Sequence, residues 1–187
     1  MRHRIGFVSA FAVAAVIAGP VFAQQMRAAP APHQMSRADT NFMKEAATGG
    51  MTEVELGKLA QQNGQSDDVK QFGSRMAQDH GAAGDELSKL AGNKGMTLPQ
   101  QLDPKHRQLR DKLARLRGAE FDRAYMREMV KDHDKDLKAF RHQAQSAADP
   151  DLKQFAAKTA GVIEQHDKMA HDIAQSLTAV GSSRRPR

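Results

Sequence analysis

The chain has 187 residues, room for one ordinary domain with terminal extensions and no second core. With 40% hydrophobic and only 5% aromatic residues, no Trp and a single Tyr, it favours helices packed through Leu, Ala, Met and Phe over a large sheet. Cysteine is absent, which excludes disulfides and thiolate metal sites, and the formal charge of +6 is dispersed among acidic residues, so no basic face for nucleic acid is present.

Met1 to Arg4 carries two arginines, and Ile5 to Val21 is apolar and uncharged. Followed by Val21-Phe22-Ala23, this reads as a signal peptide over residues 1–23, cleaved after Ala23 to give a periplasmic protein with no transmembrane segment in the mature chain. The competing reading is an uncleaved anchor, for which the run is at the short end. Residues 24–35, rich in Ala, Pro and Gln, are expected to be a disordered spacer, and residues 179–187 a basic disordered tail.

Residues 36–178 carry four long helical patterns and one short one. The first helix is expected over about Ser36 to Gln62, stopped at Asn63-Gly64. The second follows the N-cap Ser66 and the dipole-matched Asp67 and Asp68, and is ended by Gly92 and Gly95. Asp103-Pro104 is a cap followed by Pro at the first helical position, which opens a short segment to about Leu116. Gly118 separates it from the third long helix, about Glu120 to Ala147. Asp149-Pro150 then opens the fourth, which is expected to run to about Thr178. The fold class is therefore all-α, an antiparallel four-helix bundle with a short extra helix between the second and third long helices.

Placed on a wheel at about 100° per residue, each long helix puts one ionisable residue in the middle of its apolar stripe. Glu53 lies among Phe42, Ala46, Gly49, Leu56 and Ala60. His80 lies among Val69, Phe72, Met76, Ala83, Leu87 and Leu90, and His133 among Met126, Met129, Val130, Leu137, Phe140 and Ala144. His166 lies among Phe155, Thr159, Val162, Ile163, Ala170 and Ile173, while Asp132 and Asp136 fall off the edge of the His133 stripe.

The short link at Asp149 sets His133 and His166 within roughly 3 Å of equal depth, whereas Glu53 is roughly 6 Å out of register with His80. Three imidazoles with a carboxylate nearby are what one divalent transition metal ion needs, which makes His80, His133, His166 and Glu53 the candidate ligands. Binding through unprotonated imidazoles is expected to weaken below roughly pH 6.5. The alternative is a metal-free bundle in which the buried histidines hydrogen-bond to carbonyls, to Glu53 or to water.

Met51, Met76, Met126, Met129 and Met169 read as core filling, and His106, His142 and His171 as surface residues. The pattern Met-x-x-Asp-His recurs at Met76 to His80 and Met129 to His133. No nucleophile with a paired base, phosphate loop or dinucleotide fingerprint occurs, so nothing points to catalysis, and the outer faces are left for an envelope protein or a second copy of the chain.

The stretches Ala46-Ala47-Thr48-Gly49-Gly50-Met51-Thr52-Glu53, Phe72-Gly73-Ser74-Arg75-Met76-Ala77-Gln78-Asp79-His80 and Gly118-Ala119-Glu120-Phe121-Asp122 carry a resemblance. Over about Ser36 to Thr178 the chain resembles an exported bacterial family with domain of unknown function 4142, assigned to the ferritin-like bundles and often labelled outer-membrane proteins. The resemblance implies a ferritin-like fold and no agreed reaction. The Glu-x-x-His pairs of two-iron ferritin-like sites are missing, because Ala77, Val130 and Ile163 stand three residues before the histidines.

Overall fold

The computed structural model describes residues 35–183, so the expected signal peptide and nearly all of the expected spacer lie outside the described residues. Five helices account for the regular structure: α1 (Arg37–Asn63), α2 (Asp67–Asn93), α3 (Pro104–Ala114), α4 (Gly118–Ser146) and α5 (Pro150–Ser183). No strand occurs among the described residues.

Of the three expected caps, Asp103 and Asp149 close on their helices, whereas the Ser66 side chain makes no cap hydrogen bond and its amide donates to Asp122 instead; Ser36 caps α1 without having been singled out. Ser36 Oγ accepts from Asp39 N–H at 3.0 Å, Asp103 Oδ1 from His106 N–H at 2.9 Å, and Asp149 Oδ1 from Leu152 N–H at 3.0 Å. Gly95 and Gly118 take φ of 65° and 61°, the left-handed region that lets the chain turn out of α2 and into α4. At its far end α5 runs to Ser183, past the expected stop near Thr178, because Gly181 and the serines after it do not break the helix.

α1 and α2 form one antiparallel hairpin and α4 and α5 a second, with α1 also against α4, α2 against α5, and α3 laid on α1. The first hairpin closes tightly where Gly57 meets Gly73. A Cβ on Gly73 would come 2.7 Å from the Gly57 carbonyl oxygen and 2.5 Å from the Ala60 side chain, so only hydrogen fits there.

Each hairpin is fastened to the turn of the other by a buried aspartate from its first helical turns. Asp122 on α4 accepts from the amides of Gln65 and Ser66 at 3.0 and 2.9 Å, between α1 and α2. Reciprocally, Asp39 on α1 accepts from the Ala148 amide at 3.2 Å and from Gln143 Nε2, at the α4–α5 turn. Both are almost fully buried, so the carboxylates are compensated by these donors and not by water.

The apolar core falls into two parts. One gathers Met43, Leu87, Leu137, Phe140, Leu152, Phe155 and Ile163, and the other Leu56, Phe72, Met76, Phe121, Tyr125, Met129 and Ala170. On every long helix a polar residue stands between the two parts. Glu53 precedes Leu56, His80 lies between Met76 and Leu87, His133 between Met129 and Leu137, and His166 between Ile163 and Ala170.

Candidate metal centre

This mid-length polar layer brings His80, His133 and His166 together. One ring nitrogen from each lies within 4.8 Å of the others. The ring centres are 5.8, 5.3 and 5.6 Å apart, close to an equilateral triangle. Three imidazoles on one ion at a metal–nitrogen distance of about 2.1 Å have ring centres roughly 5 to 5.5 Å apart, so the triad is nearly at coordination spacing.

Hydrogen bonding fixes which nitrogen faces inward. His133 Nδ1 donates to the Met129 carbonyl at 2.9 Å, one turn back on α4, which leaves its Nε2 buried and without a partner. His166 Nε2 donates to Asp79 Oδ2 at 2.8 Å, which leaves Nδ1 buried and unpartnered. His80 Nε2 is likewise buried and unpartnered. A carbonyl and a carboxylate on the far nitrogens are the supports that metal-ligating histidines ordinarily carry, because they fix the tautomer and make the free nitrogen more basic.

The rings are held neutral. Burial pushes His80 down to about 3, helped by the other two imidazoles, and pushes His133 down to about 4, helped by His166. Burial also lowers His166, although the Asp79 carboxylate opposes it. On Asp79, burial works to raise the carboxyl, but the His166 ring N–H and the Arg75 guanidinium outweigh it and hold it below its ordinary value. Arg75 reaches Asp79 at 3.3 Å, so a chain of Arg75, Asp79 and His166 runs from the surface to the triad.

Phe72 closes one side, its ring 6.2 Å from His133 and 6.5 Å from His166. His80 is the ring that solvent approaches. A cleft of about 420 Å³ between α1, α2 and residues 98–102 reaches it, as does one of about 260 Å³ between α2 and α5.

Glu53, the fourth candidate ligand, does not join the three histidines within that spacing. It is buried, one carboxylate oxygen has no hydrogen-bond partner, and it faces α4, where Asp132 and Asp136 repel its charge. Burial first, and those two aspartates second, push its carboxyl well above the ordinary range. Asp132 and Asp136, placed off the stripe by the wheel, are instead half-buried, and both are also raised, chiefly by burial.

The repeated Met-x-x-Asp-His pattern thus has two chemistries. Asp79 is held low by His166 and Arg75, whereas Asp132 is held high. The role of Asp79 was not readable from sequence, since it depends on α2 lying against α5. Its only signal was its place in the repeat.

His142 is exposed, His106 half-buried beside Asp103, and His171 exposed on α5. Of the methionines read as core filling, Met76, Met126 and Met129 are buried in the apolar core, whereas Met51 and Met169 are only half-buried. No helix among the described residues is long and apolar enough to cross a membrane.

A solved structure of a DUF305 fragment from Deinococcus radiodurans is similar to this chain, with a TM-score of 0.67 at 11% identity, covering 76% of this chain and 98% of that one. At that identity the likeness concerns fold alone. Among curated proteins, none matches. Residues 24–173 match the family described as Domain of unknown function (DUF4142), and because that match spans most of the sequence, the chain belongs to this family.

Proposed function

We propose that this protein is an exported, periplasmic, ferritin-like four-helix bundle that binds one divalent transition metal ion through His80, His133 and His166. The observation that carries the reading is the set of three neutral imidazoles, two buried and that of His80 half-buried, at 5.3 to 5.8 Å centre to centre, each with a buried, unpartnered ring nitrogen. Leaving three such acceptors unpaired costs stability, and an ion satisfies all three at once. Glu53 is left out of the ligand set, and solvent reaching His80 supplies the remaining position. An open position on a tris-imidazole ion is also what exchange of the metal requires.

The bundle reading is supported by two antiparallel hairpins facing each other across a shared core. Export is supported by the pattern of residues 1–23. Envelope protein recovered from cells and weighed intact should begin at Gln24; full-length chain in the inner membrane would mean an anchor.

Elemental analysis of the purified mature protein, followed by titration of stripped protein with zinc, copper, iron, nickel and manganese, tests the metal. Uptake with a rise in thermal midpoint is expected; His80→Ala, His133→Ala and His166→Ala should each bind one equivalent fewer and lose the rise, and His142→Ala should keep both. Absence of both effects would replace the reading with a metal-free bundle whose histidines are bridged by water.

A further inference from the structure

On the solvent side of the α4–α5 seam, next to the triad in sequence but turned away from it, stands a second group of donors. Asp134 follows His133, Asp167 follows His166, and His171 lies four residues beyond Asp167 on α5. One donor atom from each lies within 4.8 Å of the others.

His171 Nε2 is 3.6 Å from Asp134 Oδ1 and 3.7 Å from Asp167 Oδ1. These separations are too long for hydrogen bonds, which close to about 2.7 to 3.2 Å. They match two donors held by one ion, since ligands at about 2.0 to 2.2 Å and near-tetrahedral or trigonal angles sit about 3.3 to 3.7 Å apart. Asp167 Oδ1 is moreover buried and has no hydrogen-bond partner, its ion pair with His171 at 3.7 Å being too long to supply one.

We propose that Asp134, Asp167 and His171 form a second divalent transition metal site, facing solvent and independent of the buried triad. One imidazole and two carboxylates form a mixed nitrogen and oxygen set that suits zinc, manganese, iron, cobalt or nickel. Water fills the remaining positions, because the side chains of Asp134 and His171 are half exposed. The site is therefore open, with an ion that exchanges faster than one in the core.

Zinc titration of the stripped full mature chain tests it. The comparison is made in His80→Ala, where the core site is disabled, against His80→Ala with His171→Ala and His80→Ala with Asp134→Asn. Both added changes are at exposed positions, and the helical spectrum of each variant is checked first. The expected result is that His80→Ala still takes up an equivalent of zinc and that either added change abolishes it. Equal uptake by all three variants, whether none or one equivalent, would overturn the second site and leave the reading of the triad untouched. In the wild-type background, His171→Ala is expected to bind one zinc fewer than the unaltered chain.

Discussion

His166 Nε2 donates to Asp79 Oδ2 at 2.8 Å, from the middle of the core to a carboxylate at its edge. That bond chooses the tautomer of His166 and aims its Nδ1 at the other two rings. Asp79→Asn, which can present its amide instead of an acceptor, should weaken zinc binding about 10- to 100-fold while the helical content stays unchanged. Unaltered affinity by competition titration would show that Asp79 positions nothing.

The lowered histidines make stripped protein sensitive to acid in a definite direction. An unfolded chain protonates His80 and His133 near pH 6.5, whereas the folded chain resists until about 3 and about 4. Their contribution is thus intact above about 6.5 and is lost as pH falls below it, by about 1.4 kcal/mol per pH unit for each group. Urea unfolding between pH 4.5 and 7 should show this slope, reduced in His133→Gln. The same shift means that protons compete with metal at a lower pH than the roughly 6.5 expected for free imidazoles.

Glu53 has the opposite sign. Its folded-state carboxyl is raised, so its favourable protonation is complete below the ordinary value of 4.5 and is lost as pH climbs through the raised value. At pH 7 burial and the nearby Asp132 and Asp136 disfavour the ionised form that the unfolded chain adopts freely, a cost that an uncharged amide does not carry. Glu53→Gln should therefore stabilise the protein at neutral pH by about 1 kcal/mol or more, with the gain shrinking towards pH 4. Denaturant midpoints at both pH values decide it, and a loss at pH 7 would contradict the assignment.

In the first hairpin, Gly73→Ala should cost about 1 to 3 kcal/mol or more, because the added methyl meets the Gly57 carbonyl oxygen at 2.7 Å and the helices must part. Gly84→Ala is the comparison: a Cβ there meets nothing within 4 Å, and helix propensity alone should make it stabilising by roughly 1 kcal/mol. Thermal midpoints of the two variants should move in opposite directions.

The helices and the three histidines were legible because a period of 3.6 residues and the caps at Asp103 and Asp149 are local properties. Equal depth followed from short links, and Gly50 does lie against the His80 backbone as the register across Gly64 requires. A wheel gives direction from the helix axis but not the neighbour met there. Glu53 points inward as read, yet towards α4 and its aspartates. Asp79, Asp39 and Asp122 were invisible for the same reason, since each acts across 56 residues or more on a group of another helix or turn. His171 read as a plain surface residue because its partner Asp134 lies on a different helix.

The reciprocal reach of Asp39 and Asp122 has a consequence for how the chain is put together. Neither hairpin closes its own turn unaided; each borrows a carboxylate from the other, as two identical hairpins would if related by a twofold axis. The covalent link between them runs through residues 94–117 and sets Leu98, Leu102 and Leu113 in the core, so only its continuity is dispensable in principle. Cut at an exposed point there, the two fragments should find each other and rebuild the fold.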